Sequence, residues 1–122
     1  MKIIIYFLMF IIPSFAHSAG LLCHSSHGGY CQYSGKVSRL YVNGSFMLLY
    51  FDTQINSDEI SKSGLVVTNT DAATLSIKNN VEFSKMVYST LLSAQATQRD
   101  VQVQMFSEEN GYLKIEKIWL AQ

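Results

Sequence analysis

A mainly β domain with one helix, in the order β-β-β-α-β-β, is the fold the sequence predicts. Three observations carry it. Residues 36–52 read as two strands around Asn43-Gly44. Residues 81–97 repeat their apolar positions at helical spacing. Residues 101–120 alternate apolar and polar side chains on either side of a turn.

The elements follow in order. Lys36–Val42 is rich in β-branched and aromatic residues and reads as a first strand. Asn43-Gly44 is a type I′ turn signal, and Ser45–Asp52 is the return strand. Asn43-Gly44-Ser45 also fits the N-glycosylation pattern, and the turn accounts for it. Thr53–Gly64 is polar and reads as a loop with at most a short irregular turn. Leu65–Thr68 reads as the third strand, and Ala73–Ile77 as a short extra strand or the approach to the helix. Asn79 or Asn80 offers an N-cap oxygen. Phe83, Val87, Leu91 and Ala94 then form one face that Met86 and Leu92 widen, and the helix ends near Thr97 or Gln98.

Val101, Val103 and Met105 share a face of the next strand, and Ser107–Gly111 is the turn. In Tyr112–Leu120, Leu113 and Ile115 are one residue out of phase with Ile118 and Leu120; a β-bulge near Glu116-Lys117 restores the phase. Val37 is likewise out of phase with Leu40 and Val42. Bent strands of this kind turn the corners of small barrels. The expectation is therefore an OB-fold-like five-stranded barrel, a Greek-key barrel with its helix between strands three and four. The alternative is another small α+β domain with a helix on an antiparallel sheet.

The chain opens with Lys2, an apolar run Ile3–Ile12, Pro13, and the small residues Ser14, Ala16, Ser18 and Ala19. This is the order of a secretory signal peptide, and the run is short for a membrane span. Residues 1–19 read as the signal and 20–122 as one OB-fold-like domain; cleavage falls after Ala16 or Ala19, preferably Ala19. Removing Lys2 from 9 basic residues leaves 8 against 9 acidic, a net charge near −1. That balance lacks the basic patch of a nucleic-acid binder. The expected location is secreted or periplasmic.

An exported chain meets oxidising conditions, so the 2 cysteines, Cys23 and Cys31, read as a disulfide. The zinc alternative would gather Cys23, His24, His27 and Cys31 on one ion, whereas zinc fingers separate their ligand pairs with a longer spacer. Once the bridge forms, His24 and His27 are exposed loop residues. No GxSxG, HExxH or phosphate-gripping loop occurs. The remaining histidine, His17, lies in the signal region, and Asp52, Asp58, Glu59 and Asp71 read as solvated loop carboxylates. No cofactor is called for, and a non-enzymatic binding module is favoured. Tyr30, Tyr33, Tyr41, Tyr50, Tyr112 and Trp119 offer rings for stacking on a sugar, as well as ordinary strand packing.

The stretch QYSGKVSRL, Gln32–Leu40, resembles the first-strand motif of the B subunits of subtilase and pertussis-like toxins, in which a Tyr/Phe-Ser pair precedes an alternating strand. EFSKMVYSTLLSAQATQRDVQVQMF resembles their helix, Thr-centred turn and V-x-V/I strand. The resemblance covers most of the mature chain in pattern and few identical residues. It implies a homopentameric ring that binds cell-surface glycans, often sialylated, with any toxic enzyme on a separate A chain. The family's glycan-contacting serine carries over to Ser34, with Tyr33 beside it. The sugar-binding lysine has no direct counterpart; Lys62 lies in the corresponding loop. The toxin subunits also place their disulfides elsewhere, whereas this chain confines its pair to the N-terminal loop. The alternative function is a monomeric periplasmic OB-fold domain that binds a protein partner or serves a structural role.

Overall fold

The computed structural model describes residues 20–52 and 56–121. The expected signal segment, 1–19, lies outside the described residues. The fold is mainly β with one main helix: β1 Gly20–His24, β2 Tyr30–Gly35, β3 Arg39–Val42, β4 Phe46–Tyr50, α1 Ser57–Ser61, β5 Ala72–Ser76, α2 Val81–Thr97, β6 Val101–Glu109 and β7 Tyr112–Leu120. The seven strands form one sheet in the order β1-β2-β6-β7-β5-β4-β3. Every neighbouring pair is antiparallel except β5 with β7. β2 lies near one end of that order and β3 at the other, yet only residues 36–38 separate them in the chain. So short a link forces the sheet to curl until its ends approach.

Seven strands stand where five were expected. The Cys23–Cys31 stretch is a hairpin rather than a loop: Cys23 pairs directly with Cys31 across β1 and β2, and their sulfurs are bonded at 2.04 Å. Residues Ser26–Gly28 form a single 3-10 turn between the two strands, with His27 at φ 56°. The expected strand Lys36–Val42 begins only at Arg39. Val37, 7% exposed, stays in phase with buried Tyr33 and Gly35 while Lys36 and Ser38 face solvent, and the alternation breaks at Arg39, which is exposed where an inward residue is due.

Leu65–Thr68 is not a strand. Its Thr68 amide, with that of Asn69, donates to the Gly111 carbonyl at 3.0 and 2.9 Å, so this backbone closes on a turn instead of a ladder. The ladder position belongs to β5, whose Ala72, Ala73, Thr74 and Leu75 are all buried. Burial on both faces removes the alternation that marks a half-exposed strand. The polar loop before it contains α1, capped by the Asn56 side chain, which accepts from the Asp58 amide at 2.9 Å; residues 53–55 lie outside the described residues.

The β3–β4 turn centres on Gly44-Ser45, with neither Asn43 nor Gly44 at positive φ. Asn43 instead precedes the turn, and its side-chain oxygen accepts from the Ser45 and Phe46 amides at 2.8 and 2.9 Å. That Asx arrangement replaces the expected type I′ geometry. The tight positive-φ turn is Asn110-Gly111, between β6 and β7.

α2 begins after Asn80 and ends at Thr97, with Gln98 left-handed, as the spacing predicts. Asn80 does not cap through its oxygen; its amide group donates to the Ser76 carbonyl at 3.3 Å. Val87, Leu91 and Ala94 enter the core. Met86 and Leu92, expected to widen that face, are 62% and 41% exposed. Register shifts leave Glu116 unpaired in β7 and Phe106 unpaired in β6. The bulge at Glu116 brings Ile118 and Leu120 against the same core as Leu113 and Ile115, the phase repair the sequence required.

Two stability measurements test this packing. Reduction of the bridge, which spans a separation of 8 residues, is expected to lower unfolding free energy by roughly 2–3 kcal/mol in a urea titration. Ser84 is buried at 3% exposure with a hydroxyl that meets no partner. Ser84→Ala is therefore expected to leave stability unchanged or raise it by about 1 kcal/mol; a clear loss would reveal a partner for that hydroxyl.

Candidate functional site

Two of the three residues expected to bind a ligand, Tyr33 and Ser34, lie in β2. Side chains alternate along this strand, so Tyr33 points inward and Ser34 outward. Tyr33 is fully buried and packs its ring at 4.6 Å from that of Phe51. Its hydroxyl donates to Asp52 Oδ1 at 2.6 Å, accepts from the Asp52 amide at 3.0 Å, and lies 2.8 Å from the Lys36 carbonyl. Asp52 Oδ2 also accepts from the Lys36 amide at 3.1 Å. Burial, then the hydrogen bond to Asp52, pushes the Tyr33 phenol far above its ordinary range. Tyr33 is thus a core residue and presents no ring to a ligand, which corrects its place beside Ser34 in the expected site.

Ser34 is half-buried on the outer face. It pairs with Gln102 of β6, which pairs with Trp119 of β7. The adjacent row runs from Leu22 of β1 through Gln32 and Gln104 to Lys117. Gln104 Nε2 donates to Gln32 Oε1 at 3.0 Å, so the two amides lock together. Neither row carries a carboxylate. Ser34 and Trp119 are two strands apart, about 10 Å between backbones. At the hairpin end Tyr30 stacks on Phe106 at 5.2 Å, with His24 at 4.9 Å and His27 at 6.2 Å from the Tyr30 ring. Lys117 Nζ lies 5.3 Å from the Phe106 ring. Both histidines are exposed, as expected.

The arrangement is a platform on the outer face of the curled sheet, with amides at its centre and aromatic rings at its margins. Gln32, Gln102, Gln104, Phe106 and Lys117 were not singled out in the sequence. The outward phase of 102, 104 and 106 was visible there; their alignment with Ser34 depends on the β2–β6 register.

Lys62 stands elsewhere. It closes α1, and its ammonium binds Glu59 Oε2 at 2.6 Å. Glu59 Oε1 accepts the Cys23 amide at 2.9 Å, so α1 covers the free edge of β1. The Lys62 hydrogen bond, with the Cys23 amide, pulls the Glu59 carboxyl below the usual carboxylate range. Ser34 pairs with Gly20, three residues along β1 from Cys23 and about 10 Å away. The structure therefore does not bring Lys62 and Ser34 into one pocket.

A formed Cys23–Cys31 bridge belongs to an oxidising, non-cytoplasmic compartment. Among the described residues no helix is long and apolar enough to cross a membrane. Among them, too, no group of three or more His, Cys, Asp or Glu side chains could hold a metal ion. No protein-family model matches the chain, and comparisons with curated proteins and with solved structures give no match.

Two predictions follow from the site's supports. Tyr33→Phe removes the hydroxyl that joins Asp52 to the Lys36 carbonyl and is expected to cost about 0.5–1.5 kcal/mol in chemical denaturation. The folded chain keeps the Tyr33 proton that the unfolded chain releases near its ordinary pKa of 10.0. The Tyr33 contribution is whole below that pH and declines as pH rises above it, so Tyr33→Phe should flatten the alkaline limb of stability against pH. Glu59 has the opposite sign. Its support of β1 is present above the ordinary carboxylate range and is lost as pH falls through its lowered pKa. The protection of the Cys23 amide against hydrogen exchange, relative to its intrinsic rate at each pH, should therefore fall in acid, and Glu59→Gln should weaken that pH dependence.

Proposed function

We propose that this protein is a secreted, non-enzymatic binding subunit of OB-like barrel architecture that recognises glycans as a homo-oligomeric ring. The observation that carries the reading is the carboxylate-free platform of Ser34, Gln32, Gln102 and Gln104, bordered by Trp119 and Lys117. A sugar presents hydroxyls that need both donors and acceptors, and a face of C–H groups that packs on an aromatic ring. Ser and Gln side chains supply both hydrogen-bonding senses. Trp119, 44% exposed, supplies the ring.

The barrel reading draws on the single parallel pair β5–β7, the curl imposed by residues 36–38, and the position of α2 before the last two strands. β1 stands outside the five-strand plan as an addition to β2.

Self-association draws on the sheet's two ends and the flank of α2. Tyr41 and Val42 of edge strand β3 are each 46% exposed. Beside them Val81 and Tyr88 of α2 are exposed around a cavity of about 200 Å³ that also touches Val42, Met47 and Ile77, and Leu92 is 41% exposed on the same helix. At the opposite end, Leu22 of β1 and Val66 are 62% and 83% exposed. Two unlike patches suit head-to-tail contacts, the kind that close into rings. Any catalytic activity would reside on a separate A chain.

The test is the solution mass of the mature, non-reduced protein by light scattering on a sizing column, followed by a glycan array. A mass near five chains and about tenfold weaker array binding by Ser34→Ala are expected. A monomer that binds no glycan would refute the proposal and favour a periplasmic domain with a protein partner.

A further inference from the structure

We propose that the groove between α2 and β7 is a second sugar subsite, so that the ligand is an oligosaccharide running from Ser34 to Trp119 rather than one terminal sugar. This rests on the glycan reading above and goes beyond it by fixing the ligand's length and its second contact. The groove holds about 470 Å³. Phe83 and Ile118, both half-buried, form its floor. Met86, 62% exposed, and Trp119, 44% exposed, form its walls, with Glu116 and Lys117 at its mouth.

The bulge builds this groove. Gln104 pairs with Lys117 and Met105 with Ile115, which leaves Glu116 as the extra residue. The phase change after it sends Ile118 inward and turns Lys117 and Trp119 outward beside the helix. An unbulged strand would carry Trp119 on the core face. Bulges re-aim side chains next to functional sites.

The groove's chemistry fits a pyranose better than a protein segment. One wall is an indole, against which the C–H face of a sugar packs. At the mouth stand an acceptor, the Glu116 carboxylate, and a donor, the Lys117 ammonium. Glu116 lies 3.6 Å from Lys114 Nζ. Among the described residues Lys117 forms no ion pair, and its nearest aromatic neighbour is the Phe106 ring. An apolar segment of a second copy would bury the Lys117 ammonium, which has no ion-pair partner among the described residues, at a cost of several kcal/mol. Sugar hydroxyls would satisfy it.

The groove is also continuous with the platform. Trp119 ends the row that begins at Ser34, and Lys117 ends the row that begins at Leu22. A span of about 10 Å from Ser34 to Trp119 exceeds one pyranose ring. A glycan held at both ends therefore has at least two residues.

A glycan array displaying the same terminal sugars as mono-, di- and trisaccharides tests this, with wild type, Ser34→Ala, Trp119→Ala, Trp119→Tyr and Lys117→Gln. Wild type is expected to bind the longer glycans at least about tenfold better than the matching monosaccharides. Trp119→Ala should lose that preference, Trp119→Tyr should keep most of it, and Lys117→Gln should weaken it. Trp119 is the single tryptophan of the chain, so its fluorescence should shift on titration with the best-bound array glycan. If Ser34→Ala loses binding while Trp119→Ala and Lys117→Gln keep the wild-type length preference, the groove subsite is overturned and the glycan reading survives on Ser34 and the glutamines alone, without the Trp119 ring. If wild type binds no glycan, both fall. If Trp119→Ala instead lowers the solution mass, the groove is a contact between copies and the subsite is overturned.

Discussion

The hydrogen bonds between Tyr33 and Asp52 hold the joint on which the curl of the sheet depends. Tyr33 lies in β2 and Asp52 just beyond β4, and the chain between them includes the break at Lys36–Ser38. That break is where one run of chain leaves one end of the sheet and enters the other. Its backbone cannot use ladder bonds there, so side chains satisfy it. Asp52 takes the Lys36 amide, and the Tyr33 hydroxyl lies against the Lys36 carbonyl. Gly35 leaves room for this cluster, since a Cβ there would meet the Tyr33 hydroxyl at 2.6 Å. Lys36 then reaches across to Asp100 at 2.8 Å and to the Gln98 carbonyl, which ties the joint to the end of α2.

The same joint explains why Tyr33 and Ser34, adjacent in sequence, have unrelated work. Tyr33 fixes the corner from inside. Ser34, one residue on, points outward, where the β2–β6 register aligns it with Gln102. Ser34 thus rests on a buried side-chain cluster without itself supporting the fold, the arrangement its proposed binding role requires. The two bulges act similarly. Phe106 and Glu116 interrupt the β6–β7 ladder, and the interruption sets which side chains the platform presents.

The N-terminal hairpin completes the platform's far side. β1 has one free edge, and free edges invite pairing with other chains. Along this one, Glu59 receives the Cys23 amide, Gly29 lets the end of α1 approach closely, and the disulfide staples the strand to β2. In a chain of 122 residues with a modest core, such staples matter more than in a larger domain. Lys62 belongs to this device, where it holds Glu59 in place.

The sequence by itself determined the features whose causes are local. The helix from 81 to 97, the tight turn region before β7, the bulge at Glu116 and the Cys23–Cys31 bridge rest on spacing, phase and compartment, all readable along the chain. Tertiary structure decided the rest. It chose Ala72–Ser76 over Leu65–Thr68 as the strand beside β7, because burial on both faces hides the pattern that marks strands. It put Tyr33 inside and Met86 outside, because a helix or strand has more apolar positions than its neighbours can cover. Above all it set Ser34 in one row with Gln102 and Trp119. Register between strands distant in sequence is fixed by the packing of the whole sheet, and no short stretch of the chain carries it.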